Sequence, residues 1–377
     1  MAGTALVAAT YGLVRLAYGL FLPDVQDELG LGVAAAGAIS GGASVVYCTG
    51  ALLGFFAAAR HARLLVVGAA LTAAIGAFGM AAAPSGEVFG AFAIAGSAGA
   101  GLASPALVAV LQRNPSTRRS PRAQTIVNAG TGPGLVITGL LALLLLPNWR
   151  LAWVIAAVFT LVVAGILIVA DRPDSAAPPA RQSLPPRSWF AAHRRVLAAA
   201  LLLGCGSAAV WNYGRTLLVQ SGAGATVSVA AWVSLGAGST AVIVTARWMG
   251  DRGPRAGWAI TAGTVAVASA ALVAVPNSAL LALIACAAFG WGYTAATGAL
   301  IAWTADIDPA RAPSGTALLF ITLILGQAMG AGAVGALIPV VGYPIAFLGA
   351  ALVSAAATVP AVRTNRAVRQ PAGSCAR

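Results

Sequence analysis

Apolar residues run along this chain in long blocks separated by short polar stretches. Each block is long enough to cross a bilayer as a helix, which takes roughly 20 residues. Twelve such helices are predicted, near 3–22, 33–58, 63–83, 88–111, 123–146, 150–170, 196–218, 227–248, 256–275, 279–304, 314–338 and 343–361. Between the sixth and seventh lies DRPDSAAPPARQSLPPRSWFAAHRR, rich in Pro, Ser and Arg, which reads as a polar linker. The predicted fold class is an all-α integral membrane protein whose twelve transmembrane helices form two pseudo-symmetric six-helix bundles. Its parts are an N-terminal bundle (1–170), a linker (171–195), a C-terminal bundle (196–362) and a tail (363–377).

Composition agrees. The chain is 59% hydrophobic and 8% charged, against about 25% charged in soluble domains. All 22 basic residues are Arg, which reads as the mark of a GC-rich genome. Apart from Arg15, Arg150 and Arg215, every one falls in a loop after an even-numbered block or in the tail. That asymmetry places the linker and both termini in the cytoplasm of a multi-pass protein of the plasma or inner membrane. The net charge of +13 is then mostly topology, and no nucleic-acid partner is expected. The first block lacks a positive leading region and reads as a retained helix.

Catalysis finds little to build on. Cys48, Cys205, Cys286 and Cys375 form no CxxC pair, and His61 and His193 sit among arginines in predicted loops, so no metal site or cofactor is expected. No nucleotide-binding motif or nucleophile–base pairing is present. The chain reads as a carrier, not an enzyme, and as a monomer.

Two arginines carry the functional argument. Arg15 lies inside the first block, in TYGLVRLAYGLFLP, and Arg215 inside the seventh. An arginine at mid-span costs about 2.5–3.5 kcal/mol on insertion scales. The nine acids, Asp24, Asp27, Glu28, Glu87, Asp171, Asp174, Asp251, Asp306 and Asp308, all fall in loops or at block ends. Asp24 is about 13 Å up the helix from Arg15. Both cations are therefore expected to be unpaired and to face one central cavity that an anionic solute completes, since guanidinium binds carboxylate or phosphate oxygens in pairs. Tyr11, Arg15 and Tyr18 fall at i, i+4 and i+7, on one helix face. Trp211, Asn212 and Arg215 form a similar cluster. The alternatives are that either arginine snorkels to an interface or donates to backbone carbonyls. Tyr47, Asn128 and Gln327 are polar enough to join the site or to bond between helices. If protons are coupled, the candidates are Asp24, Asp27 and Glu28 near the outer mouth.

The halves also echo each other. Arg15 and Arg215 lie in the first helix of each; GFFAAARHAR (54–63) is matched by RWMGDRGPR (247–255), and NAGTGPGLVITG (128–139) by GQAMGAGAVG (326–335). Parallel six-helix repeats are a transporter architecture with the site at the repeat interface. GDRGPR, NAGTGPG and NWRLAW (148–153) together resemble the major facilitator superfamily along nearly the whole chain. The resemblance implies that Asp251, Arg252 and Arg255 latch the bundles at the cytoplasmic face, with Ala57 replacing the acid in the first-half copy. It implies that Gly130, Gly132, Pro133 and Gly134 bend the fifth helix as the halves rock. It also implies a cavity walled by the first, fourth, seventh and tenth helices, which offer Ser97, Ser104, Trp291, Tyr293, Thr294, Thr297 and Trp303. Arginines on the first and seventh helices are used by organophosphate exchangers and organic-anion transporters of that superfamily. The expected function is secondary transport of a small anion (organic carboxylate, phosphate ester or inorganic anion) by alternating access, with exchange simpler than proton coupling. The rivals are a proton-coupled drug or metabolite exporter, which lacks a mid-membrane acid here, and a receptor or scaffold without transport.

Overall fold

A backbone in hydrocarbon must satisfy its own hydrogen bonds, so a chain of apolar blocks folds as helices. The computed structural model describes residues 2–114, 127, 130–171, 186–274 and 278–362, and no strand occurs among the described residues. The helices are α1 (Ala2–Leu29), α2 (Val33–Ala58), α3 (Arg60–Ala82), α4 (Gly86–Arg113), α5 (Thr131–Leu145), α6 (Trp149–Ala170), α7 (Arg187–Gln220), α8 (Ala225–Gly250), α9 (Pro254–Ala274), α10 (Ala279–Ile307) and α11 (Ala312–Ala356). Among the described residues, ten helices are long and apolar enough to cross a membrane, and α5 is a shorter apolar helix. The last two predicted blocks form one run, α11, broken where Gly342 leaves helical geometry at φ 79°.

Local chemistry sets the ends. Ser85, Asn148 and Ser278 accept hydrogen bonds from the backbone N–H groups of Val88, Leu151 and Leu281, capping α4, α6 and α10. Gly30 closes α1 in the left-handed region at φ 63°. Helix α1 is not uniform: Ala8–Arg15 is π-helical, and Leu16 N–H donates to the Tyr11 carbonyl at 2.8 Å, five residues back.

Two close seams join helices far apart in the chain. Helix α2 runs along α11, and α5 along α8. Glycines make both close: a Cβ on Gly37 would stand 2.5 Å from the Ala331 carbonyl oxygen, and one on Gly132 2.6 Å from Thr240 Oγ1. A third junction, α1 on α7, is tighter still, since a Cβ on Gly19 would collide with the Trp211 carbonyl.

Three expectations change. Among the described residues no bend at Pro133 is seen: it sits in the first turn of α5, where a missing N–H breaks no helical bond. Gly130 and Gly134 are instead points of close approach to α1, as Gly132 is to α8. The predicted linker is partly helical, because α7 begins at Arg187. His193 therefore lies in a helix, buried and stacked on Trp189. Asn128 and the tail 363–377 lie outside the described residues.

Candidate functional site

Where α1, α2, α3, α4, α7 and α11 meet, they frame a cavity of about 40 Å³. Helix α1 brings Arg15 to it, α2 brings Ser40 and Ser44, α4 brings Ser97, α7 brings Trp211 and Asn212, and α11 brings Gln327. Among the described residues Arg15 is the one charged member of the lining. One of its terminal nitrogens, Nη2, donates to Ser44 Oγ and to Gln327 Oε1, both at 3.3 Å, and its Cζ lies 4.7 Å from the centre of the Tyr47 ring. Its Nε is buried with no hydrogen-bond partner. Ser97 Oγ and Trp211 Nε1 are buried and unpartnered too.

A second layer holds these groups. Tyr11 and Tyr47 share a hydrogen bond between their hydroxyls at 2.6 Å. Gln327 Nε2 donates to the Tyr293 hydroxyl at 2.8 Å, which turns the amide oxygen toward Arg15. Tyr293 stacks edge-on against Trp211 with ring centres 5.2 Å apart. Tyr18 donates to the Ala36 carbonyl at 2.9 Å. Tyr11, Arg15 and Tyr18 thus all face α2, as their spacing implied.

Arg215 departs from its expectation. It is buried and forms an ion pair with Asp24. Its Nη1 also donates to the Leu20 carbonyl at 2.6 Å, and its Nε donates to Ser228 Oγ at 3.3 Å. It is not part of the cavity lining. The expected pair of free cations is therefore corrected to one. Asp24 lies too far along α1 to serve Arg15, but α7 crosses α1 at Gly19 and carries Arg215 to it. The same turn of α7 makes two further links to the first half: Asn212 Oδ1 accepts from Ser40 Oγ, and the Tyr213 hydroxyl donates to the Val33 carbonyl at 3.0 Å.

The other candidates separate. Glu28 accepts from Trp149 Nε1 at 2.6 Å and pairs with Arg150 at 2.9 Å, and Asp27 is exposed, so the three outer acids do not share one environment. Trp291 donates to Thr245 on α8 at 2.8 Å and is absent from the lining. Asp251 is exposed and forms no ion pair among the described residues. Arg252 stacks 3.7 Å over Trp248, and Arg255 lies 5.6 Å over Trp303. At the facing ends of α3, α4 and α6, Asp171 binds Arg63 at 2.9 Å and Asn114 at 2.8 Å. Sequence reading missed Ser40 and Ser44. Their signal was present, since Ser40, Ser44 and Tyr47 repeat the i, i+4, i+7 spacing of the facing residues on α1.

The sequence matches the family model described as Major Facilitator Superfamily over residues 4–311. The chain belongs to that superfamily. Comparison with curated protein sequences gives no match. Among solved structures it resembles a variant of the nucleoside transporter NupG, with TM-score 0.77 and 14% identity over 95% of this chain and 98% of that one. It also resembles a D-xylose–proton symporter, with TM-score 0.73 and 14% identity over 96% and 95%. At such identities the likeness is one of fold. As a superfamily member the protein is a membrane transporter, and its polar cavity lies where α1, α2, α3 and α4 meet α7 and α11.

Proposed function

We propose that the protein moves a small anionic solute by alternating access, with Arg15 as the anion contact. One observation carries this reading: the cavity has a surplus of donors and no acid. Arg15 Nε, Ser97 Oγ and Trp211 Nε1 are buried without acceptors, and Arg15 is the lone lining charge. A buried donor left unsatisfied costs about 1–3 kcal/mol, so a solute rich in acceptors is favoured there. Arg215, already satisfied, fastens the outer side and is not a ligand contact. Tyr18, Trp211, Asn212 and Gln327 line the cavity and orient the solute, while Tyr47, held by Tyr11, positions Arg15, and Tyr293 positions Gln327. Binding of anions to purified protein and its Arg15→Gln variant tests the reading. Loss of binding with a retained melting profile is expected, and undiminished affinity would overturn it.

A neutral sugar or nucleoside is the second reading. It draws on what the solved neighbours carry and on the hydroxyls and amides of Ser40, Ser44, Asn212 and Gln327 around the cavity. Proton-coupled drug export gains no support from a lining without a carboxylate. Splitting α11 at Gly342 and counting α5 as a span gives twelve helices in two bundles, residues 1–170 and 196–362. The arginine asymmetry supports a plasma or inner membrane with cytoplasmic termini. The α7 links to α1 and α2 lie toward the outer ends of these helices, so this conformation is shut on the outside.

A further inference from the structure

The inference concerns which anions Arg15 accepts, and it rests on the anion reading above. We infer that the cavity selects small monocarboxylates with an apolar body over dianions, and that Asp24 sets this preference by neutralising Arg215. From sequence, two free cations on the first helices of the halves would make a doubly positive centre, suited to a phosphate ester or dicarboxylate. The structure removes one of them. Arg215 sits one turn beyond Trp211 on α7, about 6 Å along the axis, close enough for its charge to reach a solute. Its carboxylate partner, Asp24, cancels that charge at source. The pair is nearly shut off from water, with side-chain exposures of 2% for Arg215 and 21% for Asp24, so solvent does little to weaken it.

What remains at the cavity is one positive charge, on Arg15. A monoanion is matched by it. A dianion leaves one negative charge uncompensated in a water-poor site, where charges are poorly screened. The rest of the wall fixes the body of the solute. Val14, Leu16, Ile39, Met80 and Ala93 are apolar, and Trp211 presents an aromatic surface. Such walls suit an apolar body and give nothing to a second charged end, and a body as large as a ring enters as the space, about 40 Å³ in this conformation, widens.

The test uses three probes that share a ring: neutral benzyl alcohol, monoanionic benzoate and phenyl phosphate, the last a dianion at pH 8 because its second ionisation falls near pH 6. Binding is read by thermal shift on the full-length protein, the Arg15→Gln and Asp24→Asn variants, and the double variant Asp24→Asn/Arg215→Gln. The unaltered protein is expected to bind benzoate about tenfold more tightly than phenyl phosphate, the scale of one charge acting over ~10 Å at an effective dielectric near 20. Arg15→Gln should abolish that binding. Asp24→Asn, which frees the second cation, should erase or invert the preference. The double variant, neutral again, should restore it, and serves if the single variant does not fold. Phenyl phosphate bound as tightly as benzoate, both through Arg15, overturns the valence preference and leaves the anion reading standing. Benzyl alcohol bound as tightly as benzoate overturns the anion reading itself, and failure of all three probes to bind overturns both.

Discussion

Arg15 in α1 and Arg215 in α7 look interchangeable in sequence, each a lone cation inside an apolar block. Their surroundings are opposite. Arg215 is 3% exposed and has a carboxylate, a backbone carbonyl and a hydroxyl around its guanidinium. Arg15 has no carboxylate, two long bonds at 3.3 Å from a single nitrogen, and a buried Nε with nothing to donate to. The role of a buried charge follows from what its neighbours leave unmet. A guanidinium with its acceptors in place holds helices together, whereas one short of acceptors is open to a ligand.

Swapping each for Gln should give the widest separation between them. Arg215→Gln strands Asp24 at a helix junction, and breaking a buried pair on one side costs about 3 kcal/mol or more. A clear drop in the melting temperature in detergent is expected, largely recovered when Asp24→Asn is added. Arg15→Gln should leave melting unchanged or slightly raised, because only the two long bonds to Ser44 and Gln327 are lost and no charged partner is stranded. Equal destabilisation by both would erase the distinction. Next in size is Gly19→Ala, which alters no charge. Its methyl must push Trp211 away, and strain of about 1–3 kcal/mol is typical of such overpacking. It should loosen the Arg215–Asp24 junction and lower the melting temperature, while Gly41→Ala, with its Cβ 3.3 Å from the Ala328 carbonyl, should do far less. Arg15→Lys comes third: charge persists but the planar fork is lost. Solute affinity should fall about tenfold, the worth of one charge-assisted hydrogen bond, with melting unaffected; titration of binding checks it. The smallest effect belongs to Glu28→Gln. Its pair with Arg150 is 48% and 30% exposed, and surface pairs contribute about 0–1 kcal/mol. Neither binding nor melting should shift measurably, which would show that proximity to the outer mouth alone does not make an acid matter.

The helices were legible because hydrocarbon forces each apolar block to close its own backbone bonds. Their merging at Gly342 was not, since a single residue's torsion leaves no composition signal. At the site, Arg15 stood out because a charge amid Leu, Val and Gly violates the local pattern. Ser40 and Ser44 did not, because serine is common in packed membrane helices. The Asp24 pairing was invisible for a geometric reason. Reach measured along α1 ruled out Arg15 correctly, but whether α7 returns to the same point depends on the crossing at Gly19, which is a property of packing and not of spacing.

The Arg215–Asp24 pair also bears on how the protein is made. Its partners are 191 residues apart, so helix α1 is complete long before α7 emerges from the ribosome. Entering the bilayer alone, α7 carries a guanidinium near its C-terminal end whose burial disfavours insertion, by less than the roughly 2.5–3.5 kcal/mol of a mid-depth arginine. The best apolar window of α7 has a mean hydropathy of 1.5, against 2.8 for α6, which leaves it less margin to absorb that cost. Once α1 is alongside, Asp24 and the Leu20 carbonyl take up the charge. The pair thus ties α7 to a helix made long before it, and removing Asp24 is expected to lower the yield of inserted protein while Asp24→Asn/Arg215→Gln recovers it.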